Sequence, residues 1–580
     1  MNLEFEDAVQ QVGYSTIEEY FTKIVVPVVG VCFILFISML LAITFYGSVY
    51  FGPPFIYFLF LIPFMILMLG ILSVLGYPFY ILERKKVEIQ DNIHFFITYV
   101  GTLSTLHISR ADIIRYASRR AEYGEIAKIM EKIDYLASYW NLGLVASTRK
   151  IAQLVPSRVL ANFLDRLSAA LDFGERIDVF LMQEQEAVMD DFSTEYKQSI
   201  QTLDLIQDAL VSLTIGVSFM LSISFLLPLV SGYNVVLLMA LSGIALFLID
   251  SLSLVFIDTF ISHDPLLHDL PIKPEEYYQL RKMVVAVTVS SLLLFAVLYF
   301  LGILPLPLTV AVACLPLLLI GYTASQMENK VMKYDDAFPG FIRSIGGSLG
   351  ARGGSLVGTI EPLRIHDFGI FNQPLEKLYR RLKLRCDKFE SWMYLSGETG
   401  SNLISNFSTI FLHVIRLGGD PEKGAEVISN NFIRLLSLRK IRLQLASSVR
   451  GIYYGTLFGI TGAAYSSLQM VSILNTTLGK TLSSISTSPM VASVTEGLLP
   501  SLGTLDLPLM ENTLFFILFI HAVLSAISIK MIDGGSKWAA LMDFVLMVWI
   551  IALIAFLLPI GFDKMFSMGT RTGVERLTDV

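Results

Sequence analysis

A constant offset of 245 positions carries the polar stretch YDDAFPGFIRSIGGSLGARGGSLVG, Tyr334–Gly358, back onto DNIHFFITYVG, Asp91–Gly101. It sets Asp336 on Asp91, Phe341 on Phe96, Ile342 on Ile97 and Gly346 on Gly101, and further on Gly419 on Gly174. The apolar runs around these positions recur in the same order. A repeat of this length restricts the architecture before any single residue is read, because each half must fold on the same plan.

The runs decide the class. Of the 580 residues 54% are hydrophobic and 16% charged, where a soluble domain carries about 25% charge. Stretches long enough to cross a bilayer occur near 24–46, 55–81, 209–230, 234–257, 283–303, 308–325, 449–474, 512–530 and 538–560. The chain therefore reads as an all-α polytopic membrane protein with about nine transmembrane helices. Its opening residues are acidic (Glu4, Glu6, Asp7, Glu18, Glu19), unlike the basic start of a cleavable signal peptide.

Basic residues set the orientation. Residues 82–208 hold 15 Lys and Arg and residues 326–448 hold 17, whereas the short loops 47–54, 231–233 and 304–307 hold none. Positive charge stays inside, so the N-terminus and both large polar regions are expected in the cytoplasm. The plan is then an acidic N-terminus 1–23, a hairpin 24–81, a helical domain 82–208, a hairpin 209–257, a loop 258–282, a hairpin 283–325, a second helical domain 326–448, spans within 449–560 enclosing an outer loop 475–511, and a tail 561–580. Both halves keep one orientation, as in a parallel repeat.

The two cytoplasmic domains read as homologous helical bundles. Ile93, Phe96, Ile97 and Val100, then Phe163, Leu164, Leu167 and Leu171, follow helical spacing. Ser109 and Ser157 look like helix starts, and Gly124, Gly143 and Gly174 like breaks. No Gly or Pro interrupts Glu175–Gln207 before the span at 209, so one helix should run from the domain into the membrane. Ala425–Arg450 repeats the arrangement.

Catalytic motifs are missing. Gly479-Lys480-Thr481 resembles the end of a phosphate-binding loop, but Leu474 stands where its first glycine belongs. His263-Asp264 and His268-Asp269 lack the spacing of a helical zinc pair and lie among Pro265, Pro271 and Pro274, which favours a rigid loop. Cys32, Cys314 and Cys386 are too scattered for a disulfide framework. Asp250, Asp258 and Asp543, with His521, fall in or near spans, where acids draw suspicion of function, yet their spacing forms no evident relay. Asn475-Thr476-Thr477 is a glycosylation sequon too near the membrane for use. No cofactor or metal is implied.

Two features point to packing and partners instead. Gly346, Gly350, Gly354 and Gly358 recur every fourth residue, which offers a flat seam to a second helix, with a turn at GARGGS. The domains also differ in charge, with a net of −4 over 82–208 and +5 over 326–448. The surplus lies in PLEKLYRRLKLRCDKF, where 100° per residue places Lys377, Arg380, Arg381, Arg385 and Lys388 opposite Leu375, Leu378, Leu382, Cys386 and Phe389. Such a face is either simply solvated or meets an acidic protein or anionic lipid. It lacks the interleaved aromatics of a nucleic-acid platform.

Taken with DDAFPGFIRSIGGSLGARGGSL, its echo DNIHFFITYVGTLSTLHIS, and the later LDFGERIDVF and RLGGDPEKGAEVI, the chain resembles the platform-protein family of type II secretion and type IV pilus machines. Its length, extra spans and acidic EFEDAVQQVGYSTIEEY make it most similar to the archaeal branch that serves the archaellum. The first copy departs from the pattern, lacking a counterpart of Pro339 and most of the glycines. The resemblance implies a non-enzymatic scaffold in the cell membrane that contacts a hexameric secretion-type ATPase and pilin- or archaellin-like subunits. It leaves room for a homodimer and none for nucleic acid. A transporter built on a parallel repeat is the alternative, and would call for broken spans with polar residues converging at mid-membrane.

Overall fold

The structure, a computed structural model, describes residue 9 and residues 16–42, 53–106, 109–231, 235–262, 264–352, 356–485 and 507–578. Among these there is no β-strand, and an isolated bridge joins Leu267 to Ser401. The chain divides into two compact units, Met1–Phe192 and Ser193–Val580.

In the first unit α1 (Ile17–Tyr20) passes through a π-turn, Phe21–Val25, into α2 (Val26–Ala42). The Thr16 side chain caps the start by accepting from the Glu19 N–H. The buried Tyr20 hydroxyl donates to the Val74 carbonyl, 2.6 Å away on α3 (Pro53–Leu103). Four short helices follow, α4 (Arg110–Ser118), α5 (Glu125–Ser138), α6 (Leu144–Ala152) and α7 (Arg158–Phe173). Ser109 caps α4, its oxygen accepting from the Asp112 N–H at 3.2 Å while its hydroxyl donates to the Asp112 carboxylate at 2.6 Å. Gly124, Gly143 and Gly174 separate the helices at φ of 55°, 77° and 73°, a region costly for other residues. Phe96, Ile97, Phe163 and Leu164 are all buried between these helices, each contributing about 1.5–3 kcal/mol.

The helix that closes this bundle, α8 (Ile177–Ser231), is a single 55-residue element. The second unit continues with α9 (Val235–Phe260), a strap over 261–274, α10 (Glu275–Leu301), α11 (Leu306–Cys314) and α12 (Leu317–Arg352). Next come α13 (Leu356–Leu363), α14 (Asn372–Lys383), α15 (Lys388–Thr399) and α16 (Asn402–Arg416). Then α17 (Pro421–Ile485) extends for 65 residues, followed by α18 (Leu507–Asp533) and α19 (Ala540–Thr578). The order long, four short, long therefore occurs twice, as α3–α8 and as α12–α17.

Packing within each unit carries the repeat to atomic detail. A Cβ on Gly101 would lie 2.8 Å from the Gln185 side chain of α8, and one on Gly346 only 2.2 Å from the Ala425 Cβ of α17. Both glycines let the long helices of a bundle touch. One repeat position slips. Gly419 was aligned with Gly174, but the residue at positive φ is Gly418, at 82°. The Gly419 N–H donates to Val414 O, as the Glu175 N–H does to Ala170 O, so the second copy is one residue shorter here.

Eight helices among the described residues are long and apolar enough to cross a membrane. The ninth run, 55–81, forms the first part of α3, where many side chains lie outside the described set. The run 308–325 is divided between α11 and α12 at Leu315–Pro316, where proline has no N–H to continue the ladder. Two boundaries move. α17 continues to Ile485 and holds Asn475 in helix, so the first residues assigned to the outer loop are helical, while 486–506 lie outside the described residues. α19 likewise runs to Thr578, into the residues assigned to a tail.

Candidate functional site

Charged side chains concentrate where the second bundle meets the ends of the membrane helices. A cleft of about 240 Å³ there is lined by Asp264 of the strap, Glu328 and Asp335 of α12, Arg439 and Arg442 of α17, and the Asp533–Gly535 turn. Arg439 makes a fork to Asp264, with Nε 2.5 Å and Nη2 2.6 Å from its two oxygens, and its Nη1 reaches Asp335 at 2.9 Å. Asp335 also accepts from the Ser401 hydroxyl, whose oxygen caps α16 through the Ile404 N–H.

One turn further, Arg442 donates to the carbonyls of Ile532 (2.5 Å), Met531 (3.0 Å) and Ser262 (3.3 Å). The first two are carbonyls that the end of α18 leaves without a helical partner, and the third belongs to the chain just beyond α9. Lys530 joins Glu328 at 2.8 Å and Asp533 at 2.5 Å, and the Ser536 N–H donates to Glu328. Arg450 pairs with Asp543 at 3.1 Å, and the Tyr454 hydroxyl donates to that carboxylate at 3.1 Å.

The strap is held along its length. The Asn402 N–H donates to Leu266 O and the His268 N–H to Gly400 O. The buried His268 accepts at Nδ1 from the Leu270 N–H at 3.1 Å, so its proton is on Nε2, which donates to Gly397 O at 3.2 Å. Burial pushes the His268 pKa down and nearby Lys273 adds to the effect. Two histidine–aspartate pairs were singled out in this loop. His263 lies outside the described residues, Asp264 and His268 are engaged in the packed strap, and Asp269 is exposed. Among the described residues no group of three or more His, Cys, Asp or Glu could hold a metal ion. The junction's charges pair with one another across its elements, so its chemistry is that of a clamp.

Within the membrane helices the structure joins two of the residues whose spacing formed no evident relay, Asp250 and His521. Their side chains pair at 2.8 Å between α9 and α18, both buried. Gln207, Ser253 and Tyr453 form a second buried cluster with contacts of 2.9–3.2 Å. Asp258 is exposed. Asp250 and His521 are 271 positions apart, and no sequence spacing would join them.

Of the glycine seam, Gly346 and Gly350 lie on α12 against the start of α17, where a Cβ on Gly350 would come 3.2 Å from Glu422. Gly354 is outside the described residues, and Gly358 sits at an exposed position on α13, off the seam.

The reading of Lys377, Arg380, Arg381, Arg385 and Lys388 as one face of a single helix does not hold. α14 ends at Lys383, Arg385 takes a φ of 61°, and Asp387 caps α15 by accepting from the Phe389 and Glu390 N–H groups. Asp387-x-x-Glu390 has capping-box spacing and was the overlooked signal. Three of the five charges are also partnered. Arg381 and Lys377 meet Glu398, and Arg380 meets Glu376, which Arg364 also binds at 2.6 Å. Arg364 foremost, and then Arg380, hold the Glu376 carboxyl below its usual range. Arg380, Arg385 and Lys388 remain exposed.

Membrane helices that continue unbroken into a duplicated helical bundle define a class, the multi-pass platform proteins of secretion and pilus machines. In agreement, the pattern of the type II secretion system (T2SS) protein F family matches residues 96–225. The chain is 33% identical over 561 residues to flagella accessory protein J of Methanocaldococcus jannaschii, covering 95% of this chain and 96% of that protein. It is 29% identical over 560 residues to the protein of the same name in Methanococcus voltae, with the same coverage. The chain belongs to this family, the archaellum platform proteins. No solved structure matches it.

Proposed function

We propose that this platform protein couples a cytoplasmic hexameric ATPase to the insertion of pilin-like subunits, and to filament rotation where the filament is an archaellum. The observation that carries the reading is the continuity of α17, which starts inside the second bundle and reaches the far end of a membrane span without a break. Clamped by Arg439 and Arg442, it transmits a displacement of the bundle to the membrane helices. Both bundles face the cytoplasm in this reading, following the bias of basic residues.

The ATPase docks on the second bundle, at the exposed cations Arg380, Arg385 and Lys388 around the α14–α15 turn. Lys377 borders this surface, and Arg381 supports it from below through Glu398. Charges at a rim chiefly set encounter rate and register. The test is Arg380→Glu with Lys388→Glu, which leaves the Arg381–Glu398 contact intact. Binding of the purified hexameric ATPase to the reconstituted protein should weaken on the order of tenfold at low salt, and filament assembly should fall with it. Unchanged ATPase binding with reduced binding to anionic vesicles would assign the surface to lipid. No change in either would make it a solvated face.

A further inference from the structure

Where α10 enters the membrane and α12 leaves it, the two helices frame a pocket of about 550 Å³. Glu276, Gln279 and Met283 line it from α10, and Thr323, Gln326, Lys330 and Lys333 line it from α12. Their spacings are three and four residues throughout, so each set is one face of its helix. Ala286 and Leu319 come one turn deeper on these faces, and both are exposed. Lys330 pairs with Glu276 at 2.5 Å. That contact fixes the antiparallel register, which brings Gln326 level with Gln279 and Thr323 level with Met283.

Both faces therefore change character together. They pass from charge, through amides, to Met283 and Thr323, and then to Ala286 and Leu319. From Lys333 to Leu319 the distance along α12 is roughly 21 Å. The change falls at the ends of the apolar runs 283–303 and 308–325, which puts it at the membrane surface on the side of the second bundle. Leu280 and Met327, buried between the helices, close the pocket behind.

Charge selects the occupant. Glu276 offsets Lys330, whereas Lys333 is exposed and has no ion pair among the described residues. The pocket thus carries a surplus of one positive charge, beside two amides able to donate. A phosphodiester with no other charge matches that surplus, and a zwitterionic headgroup would bring a second cation to it. The apolar end calls for hydrocarbon, which a soluble anion lacks. Basic pockets between membrane helices hold anionic headgroups on these terms.

We infer that this pocket is a binding site for one anionic lipid, its phosphodiester on Lys333 and Lys330 and an acyl chain passing Met283 and Thr323 toward Leu319. The Glu276 contact holds Lys330 in place, so the site is built rather than left to freely reaching side chains. This inference requires no ATPase contact, so it can fail while the proposed coupling stands, and the reverse.

The test uses the full-length protein in phosphatidylcholine nanodiscs, with its three cysteines replaced by serine and a bimane at Leu319→Cys. A minor fraction of the lipid carries a nitroxide high on one acyl chain, and is either phosphatidylglycerol or phosphatidylcholine. Quenching should reach its midpoint at an about fivefold lower fraction of the phosphatidylglycerol, as for one lysine near a membrane surface. The preference should persist at about 1 M salt, where charges more than about 3 Å apart are screened. Lys333→Gln, which removes only the surplus charge, should make the two lipids equivalent. Gln326→Phe keeps every charge but fills the pocket, and should do the same. Equal quenching by the two lipids in the parent protein would overturn the inference, as would a preference unchanged by Lys333→Gln. A preference that survived Gln326→Phe, or vanished in high salt, would be general attraction to surface lysines and would overturn it too. Loss of the preference on adding millimolar inorganic phosphate would make the ligand a soluble anion, with the same consequence.

Discussion

Gly346 and Gly347 are adjacent on α12, and replacing each with alanine should move stability in opposite directions. In a helix interior alanine is favoured over glycine by about 1 kcal/mol, so both changes begin with the same gain. At Gly347 a Cβ meets nothing within 4 Å, and the gain is kept. At Gly346 the new Cβ would sit 2.2 Å from the Ala425 Cβ and 2.6 Å from the Pro421 carbonyl oxygen. Normal contact requires α12 and α17 to separate by more than 1 Å, roughly, and overpacking of this kind costs about 1–3 kcal/mol. The net expectation is a loss of about 1–2 kcal/mol for Gly346→Ala against a gain of about 0.5–1 for Gly347→Ala. Thermal unfolding in one detergent, followed by helicity, compares the two. Ala425→Gly should restore part of the loss, since it removes the nearer of the two clashing atoms, and the double-mutant cycle isolates that coupling. If Gly346→Ala matched Gly347→Ala in stability, the two helices would not be in contact at this point and the seam would be refuted.

Two further outcomes follow from the junction. Arg439→Met leaves the buried Asp335 without its counter-charge, and should cost about 3–5 kcal/mol; adding Asp335→Leu should recover a good part of it, as read from unfolding midpoints of the single and double variants. The depressed pKa of His268 gives a pH dependence with a definite sign: the neutral ring is the folded form, so its contribution is intact above the ordinary value of 6.5 and is lost as pH falls through the lower folded-state value. The midpoint should drop between pH 7.5 and pH 5 by a component that His268→Gln removes, and an identical pH profile in that variant would exclude a depressed His268 pKa as its source.

The fold was legible where period and composition govern it. Apolar runs of this length specify membrane helices because a helix satisfies its own backbone in hydrocarbon, and the offset joining Asp91–Gly101 to Asp336–Gly346 pointed to the order of one long, four short and one long helix that α3–α8 and α12–α17 share. The continuity of α8 and α17 followed from stretches free of proline and helix breakers. The basic stretch failed for a local reason, since a helical wheel assumes continuity and Asp387 stops the helix. The junction and the intramembrane pair failed for a different one. Arg439 and Asp264 are 175 positions apart and Asp250 and His521 are 271 apart, so each looked like an isolated charge until the chain brought them together. Gly418 shows the limit of a gapless offset, which a one-residue deletion defeats while its neighbours still align.

The grip of Arg442 on α17 also has a mechanical meaning. It acts as a fulcrum, because one guanidinium ties the helix to carbonyls of two neighbouring elements at a single level. The arm toward Pro421 measures roughly 32 Å and the arm toward Ile485 roughly 65 Å. Leu457, Ile460, Ala464, Leu468 and Val471 of the long arm are buried in the core it shares with its neighbouring helices, so a sideways nudge of the short arm passes to that whole packed group rather than to α17 alone.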